Sequence, residues 1–390
     1  MTETGGFSSG LPSATHPVHT PETGWGRAPD LDAPESVFQA AWRRFRKNTL
    51  AKIGGVTVLV LLFIALLAPF LAPYDHNITR FQMTYVPPQK IYFIDEEGTF
   101  HLRPFTYALR PGLDPNTWMR VYEEDRSRRY PIYFFVRGSS YKLFGLIPWD
   151  IHLFGTEEGG HLFLLGTDKA GRDLLSRIIY GGQISMNVAV LGALASALLG
   201  SAIGAASGYF GGRFDMLAQR VVELLLSFPT LPLFMALSVA IPIEWPPLGV
   251  FAGIILIFTV GGWTVLAREL RGKVLSFKEE EFVMAARALG AGSFYVIRRH
   301  ILPNVASHII VVLTITIPEL ILAEGALSFL GLGIQPPLVS WGVLLSDATK
   351  LETIDSYPWL LIPGIVILLT VLAFNFLGDG LRDAFDARAE

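Results

Sequence analysis

The side chains that could do chemistry in this sequence are few, and most drop out on spacing. A phosphate-binding loop needs a glycine-rich turn closed by Gly-Lys-Ser/Thr, and the one Gly-Lys pair, Gly272 and Lys273, is followed by Val274. ATP hydrolysis by this chain is therefore not expected. There is no cysteine, which removes thiolate ligands, disulfides and a cysteine nucleophile. His16 and His19 lie in a polar tail, and His300 and His308 read as a loop contact and the end of an apolar run, so no metal site is expected. No Ser, His and acid set stands out as catalytic. What remains is a handful of acids inside apolar runs. Glu223 follows Arg220 by three residues and reads as a local ion pair. Glu319, after Pro318, and Glu324 sit deeper, where a carboxylate is costly unless it faces protein or water. They are candidates for lining an aqueous pathway, with a structural hydrogen bond as the competing role.

The elements that must hold these acids are membrane spans. Of the 390 residues 51% are hydrophobic and 17% charged, too apolar for an ordinary soluble domain. Runs long enough to cross a bilayer core occur at 53–72, 188–206, 217–243, 248–267, 305–329 and 359–377. The expected fold is an all-α polytopic membrane protein of six transmembrane helices. Arg43, Arg44, Arg46, Lys47 and Lys52 precede the first run, and Arg213, Arg220, Arg268, Arg271, Lys273, Lys278, Arg287, Arg298, Arg299, Arg382 and Arg388 fall in the other segments assigned to the same side. The two short loops opposite hold only Lys350. The positive-inside rule then puts both termini in the cytoplasm.

Residues 1–40, rich in Gly, Pro, Ser and Thr, are expected to be a disordered cytoplasmic tail, and 41–72 an uncleaved anchor. Residues 73–165 differ from the rest. Short β-favouring runs at Ile91–Phe93, Tyr130–Val136 and His161–Leu165, between Pro, Gly and Asp clusters, predict a small β-rich extracytoplasmic insert. It is either a packing cap or a docking surface built on Tyr92, Trp118, Tyr122, Trp149 and Phe154 with Arg126, Arg128 and Arg129. Residues 166–183 predict a short amphipathic helix in the interface, with Leu174, Leu175, Ile178 and Ile179 on its apolar face. In 184–378, the core with the other five spans, Gly192, Ser196, Gly200, Gly204 and Gly208 repeat every fourth residue and leave a strip on which another helix can pack closely. Pro229 and Pro232 should bend the third span. Residues 379–390 form the C-terminal cytoplasmic segment.

Between the fourth and fifth runs lies a polar segment, 276–304, reading SFKEEEFVMAARALGAGSFYVIRRHILPN. Ser276 and Glu279 form a capping-box pattern for a helix ending at Gly290, with Phe282, Ala285, Ala286 and Leu289 as one apolar stripe. Ser293 would cap a second short helix ending before Pro303, with Arg298 and Arg299 in its last turn.

Ala285, Ala286, Gly290, Leu302 and Pro303 in this segment resemble the EAA loop of importer-type ABC transporter permeases, with a Glu281-Phe282-Val283 lead of the peptide-permease kind. Met284 and His300 depart from the pattern. GTDKAGRDLLSRIIYGG from Gly166, EGALSFLGLG from Glu324 and NFLGDGLRDAFD from Asn375 resemble the C-type permease of dipeptide and oligopeptide importers. The resemblance covers the first span and everything from Gly166 onward. It implies a type I importer fold in a bacterial or archaeal inner membrane, and an ATPase-coupling loop made by Glu281, Phe282, Ala285, Ala286, Arg287, Leu289, Gly290, Leu302 and Pro303. It also implies partners: a homologous second permease, two ABC ATPase subunits that use ATP and Mg, and an extracytoplasmic solute-binding protein delivering a peptide. This chain itself would bind no cofactor. Oligosaccharides, opines or nickel are alternative cargoes within that reading. A membrane receptor would need a cytoplasmic output domain, and a secondary transporter usually shows internal repeats, which are not evident.

Overall fold

The computed structural model describes residues 37–115, 118–157, 159–242, 244–349 and 355–386. Most of the expected tail, with His16 and His19, lies outside these residues, as do Lys350 and Arg388. The chain begins with α1 (Val37–Phe45) and α2 (Thr49–Leu66), followed by the short α3 (Ala68–Leu71). The helix at Val37 corrects the expected tail boundary: Phe38 packs edge-on against Phe385 near the other end of the chain. Asn48 starts α2 by accepting the Ala51 N–H, and Gly54 lets α2 approach so closely that a Cβ there would lie 2.6 Å from the Ala373 carbonyl oxygen.

Four antiparallel strands follow, β1 (Tyr92–Ile94), β2 (Phe100–Leu113), β3 (Arg120–Leu143) and β4 (Ile147–Thr156), in the order 1-2-3-4. β3 changes partner midway. It pairs with β2 up to Pro131, opposite Phe105, and with β4 from Ile132, opposite Thr156. Proline has no N–H to donate, so a switch of ladder is a tolerable place for it. His161–Leu165 is not a strand. Phe163 instead accepts the Gln89 N–H at 3.0 Å and the Gly166 N–H at 3.1 Å, donates to Gln89 Oε1 at 2.6 Å, and is fully buried. The sheet is tied to the end of the first span where the His152 ring meets the Ala72 carbonyl at 2.6 Å and Phe135 meets Phe70.

The remaining helices are α4 (Leu174–Phe210), α5 (Gly212–Leu226), α6 (Thr230–Ser238), α7 (Pro247–Phe277), α8 (Glu281–Ala288), α9 (Ser293–Val296), α10 (Leu302–Phe329), α11 (Trp341–Ser346) and α12 (Ile362–Phe385). Five helical stretches are long and apolar enough to cross a membrane, or six when α5 and α6 count as one span bent by 91°. The bend falls at Pro229, which takes the N-cap position of α6 in an extended conformation (ψ 132°). The main core fills the space between α4, α7, α10, α11 and α12, with Met186, Phe258, Ile321, Leu327, Trp341 and Phe374 among its buried side chains.

Residues 166–183 do not form a separate interfacial helix. Asp173 accepts the Ser176 N–H at 2.8 Å and starts α4, so Leu174 to Gly182 are the first turns of a 37-residue span. The polar side of this segment is buried as well. Arg177 is bonded to Asp168, Arg172 donates to Asp168 at 2.7 Å, and Asp347, just past α11, accepts from Lys169 at 2.8 Å and Arg177 at 3.5 Å. Burial pushes the Asp173 carboxyl up to about 6, against the Ser176 hydroxyl and amide that donate to it.

Candidate functional site

The polar segment folds differently at its start from the capping-box expectation. Ser276 belongs to the last turn of α7, whose ladder runs on to Lys278 N–H bonding Val274 O at 3.0 Å. α8 starts at Glu281 behind Glu280, with no side-chain cap; Glu281 in the first turn and Arg287 in the last suit the helix dipole instead. Its end is as the glycine demands. Gly290 has φ +87°, and the N–H groups of Ala291 and Gly290 return to the carbonyls of Ala286 and Arg287 at 3.0 and 2.9 Å, a Schellman closure.

The second helix does not stop before Pro303. Ser293 is its first residue rather than its cap, and the chain passes through a π-turn, Ile297–Ile301, directly into α10, where Pro303 occupies the first turn. Proline at that position lacks only an N–H that the widened turn need not use. Asn304 Nδ2 donates to the His300 carbonyl at 2.6 Å in the same turn. α9, the π-turn and α10 therefore make one continuous span from Ser293.

The apolar stripe of α8 is divided between two environments. Val283 is wholly buried with Ala205 of α4, Val274 of α7, Val296 and Ile301, and Ala286 and Leu302 pack at the rim of this cluster. Ala285 and Gly290 are exposed, Phe282 is 41% exposed, and Leu289 is 89% exposed. Glu281 and Arg287 are exposed beside them. Val283 lies outside the coupling-loop set that the resemblance marks, and its signal in the sequence is that it is the one β-branched residue of α8, at helical spacing from Ala286.

All five members of the small-residue strip on α4 face α7. A Cβ on Gly200, Gly204 or Gly208 would lie 2.7, 2.6 or 2.8 Å from the carbonyl oxygens of Trp263, Ala267 and Arg271. Gly192 abuts Phe258, and Ser196 Oγ donates to the Phe258 carbonyl at 3.1 Å. Where α4 gives way to α5, Arg271 holds Asp215 through two bonds of 2.5 and 2.6 Å.

A cavity of about 630 Å³ opens between α4, the α5–α6 bend, α7 and α10. Glu319 and Glu269 both line it. Glu269 meets His308 Nε2 at 3.0 Å, while Glu319 lies at the chain's surface. Glu324 does not join them. It is 1% exposed, accepts from Ser185 Oγ at 2.7 Å and Ser328 Oγ at 2.6 Å, and pins α10 to α4. The Ser185 and Ser328 hydroxyls in turn accept the Trp341 and Ile334 N–H groups at 3.2 and 2.9 Å. Its expected pathway role is thus replaced by a structural one, because the helix turns it into the bundle. Arg220 and Glu223 pair at 2.9 Å on an exposed surface.

In the sheet, the aromatic and basic residues are largely occupied within the chain. Tyr92 donates to Glu124, Tyr122 donates to the Thr84 carbonyl at 2.5 Å, Arg126 pairs with Glu96 at 2.8 Å, and Arg129 pairs with Asp95. Trp118, 78% exposed, is the most open of the aromatic residues in that set.

Compared with known families, residues 196–390 match the binding-protein-dependent transport system inner membrane component, and residues 36–88 the N-terminal TM domain of oligopeptide transport permease C. The dipeptide transport system permease protein DppC of Bacillus subtilis is 37% identical over 355 residues, 90% of this chain and 86% of that one. This chain belongs to that transport-system family. The oligopeptide permease OppC of Bacillus subtilis is 31% identical over 90% of each chain. OppC of Haemophilus influenzae is 46% identical over 237 residues, 60% of this chain and 72% of its own. Two relatives therefore match along nearly the whole chain of this binding-protein-dependent permease, and the third matches more strongly over a shorter part of it. The family's membrane component is a transport subunit, and the multi-pass helical bundle fits that class.

Proposed function

We propose that this chain is one of two homologous permeases in an ATP-driven peptide importer, and that α8 is where two ABC ATPase subunits engage it. The observation that carries the reading is the divided stripe of α8. Val283 anchors the helix in the bundle, while Phe282, Ala285 and Leu289 present an apolar surface that the described residues leave exposed. Exposed apolar residues on a short, polar-flanked helix suit a groove in a partner. Glu281 and Arg287 would flank that contact, and Gly290 would set the sharp turn after it.

ATP and Mg would be used by the partners, and this chain would supply the transmission. Displacing α8 moves Val283 against Val274 of α7, Ala205 of α4 and Ile301 at the head of α10. Those three spans wall the cavity, so a shift at the loop would reach the pathway through packed side chains. Leu302 and Pro303, at the π-turn, would be the hinge. Positive charge near the span ends supports a cytoplasmic side for α8 and both termini. The sheet then lies outside, where a solute-binding protein would deliver peptide, with Trp118 and Arg128 among its exposed residues.

The test is purification of the complex through a tag on this chain from its native membrane, with mass spectrometry and ATPase assays. Recovery of a second permease and two ATPase subunits, stimulated by peptide-loaded binding protein, is expected. A lone chain under conditions that keep ABC complexes intact would refute the reading.

A further inference from the structure

Glu319 poses a physical problem that coupling through α8 does not explain. It lies ten residues before the end of α10 at Phe329, about 15 Å along the helix and hence near half the thickness of a hydrocarbon core. It is exposed at the surface of the chain, and among the described residues it has no hydrogen-bond or ion-pair partner. A carboxylate at that depth is not stable against lipid tails, so this face of α10 meets water or another polar group. The cavity it lines is mostly apolar, formed in part by Leu226, Phe234 and Leu320 with the hydroxyl residues Ser196, Thr230, Thr264 and Thr316, and its two charged lining residues, Glu269 and Glu319, are both acids. Glu269 is already engaged by His308, which leaves Glu319 as the open acceptor.

We propose that Glu319 is the cation-selecting residue of the translocation cavity and receives the protonated amino terminus of a passing peptide. The proposal rests on the importer reading and adds a specificity-determining residue to it. An ammonium group offers three donors to a carboxylate, and in a mostly apolar cavity that contact outweighs what the same group would gain at an open surface. The apolar walls would accept peptide side chains of varied shape, so the fixed group on every substrate, its amino terminus, is the one worth recognising.

The experiment is uptake by the whole complex in proteoliposomes, with wild type, Glu319→Gln and Glu319→Asp. A tripeptide and its des-amino analogue are each supplied at concentrations that saturate the binding protein. Wild type is expected to favour the free amine on the order of tenfold, the worth of one charged hydrogen bond. Glu319→Gln is expected to abolish that preference and Glu319→Asp to retain it. A preference unchanged in Glu319→Gln, or absent in wild type that imports both peptides, overturns the proposal alone. Loss of the second permease from purified Glu319→Gln complex also overturns it, in favour of an ion pair between the permeases. Wild-type complex that imports neither peptide overturns the importer reading itself.

Discussion

The seam between α4 and α7 and the short helix α8 are built from similar residues, small and apolar at helical spacing, yet they meet opposite fates. On α4 the strip from Gly192 to Gly208 is consumed inside the chain, and at Gly200, Gly204 and Gly208 an added Cβ would lie under 3 Å from backbone carbonyl oxygens of α7. On α8, Ala285 and Leu289 remain outside and only Val283 is consumed. The difference lies in what surrounds each helix. α4 is flanked by another long span running alongside it, whereas α8 is a helix of 8 residues between two turns and has one neighbouring cluster to rest on. Internal packing energy therefore resides in the seam, whereas the loop keeps apolar surface that the described residues leave exposed.

The strongest way to break this contrast is to fill the seam. Gly204→Leu drives a side chain into the Ala267 backbone, which cannot move aside as a side-chain tip could, and overpacking of this kind costs about 1–3 kcal/mol or more. Loss of monodisperse protein in detergent chromatography is expected; normal yield and thermal stability would show the seam to be loose. Leu289→Asp should do the reverse. With 89% of Leu289 already exposed, melting of the isolated chain should be unchanged, while binding-protein-stimulated ATPase activity of the assembled complex falls on the order of tenfold or more. Retained stimulation would separate α8 from coupling.

A subtler probe lies in the bundle. Ser185→Ala removes one of the two hydroxyls donating to the buried Glu324 and the acceptor of the Trp341 N–H, and should lower stability by about 1–3 kcal/mol, read as a depressed melting temperature. An unchanged melting temperature would mean that water replaces the hydroxyl. The smallest effect is expected in the sheet. His101 and the Thr99 amide donate to Asp95, with Arg129 beside it, and hold its carboxyl down at about 2. Because the folded value lies below the ordinary one of about 3.9, its contribution is present above pH ~4 and is lost as the pH falls towards ~2. Hydrogen exchange of β1 and β2 should loosen across that window in wild type, and Asp95→Asn should lack the transition.

Much of the site was legible because local rules suffice for it. Pro229 dictates a break wherever its span goes, and Gly290 dictates a left-handed closure whatever packs nearby. Where a local rule had competitors it failed. Ser276 matches a capping box, but the preceding span simply continues through it. Pro303 looks like a stop, but a π-turn absorbs it. The β-favouring run at His161–Leu165 suggests a strand, but among the described residues no strand pairs with it. Arg172 and Arg177 sit on what reads as a wetted helix face and are instead folded against Asp168 and Asp347, a partner far along the chain.

Glu319 and Glu324 draw the line between the two kinds of knowledge. The sequence by itself determined that both lie in one apolar helix and, five residues apart at 100° per residue, point about 140° away from each other. It also carried the long apolar runs and the resemblance that names the family. Only the tertiary structure decided which acid turns inward to Ser185 and Ser328 and which borders the cavity. Helical periodicity fixes the angle between two side chains, but the direction of the core is set by contacts with α4, α7 and α12, residues that no local spacing along α10 contains.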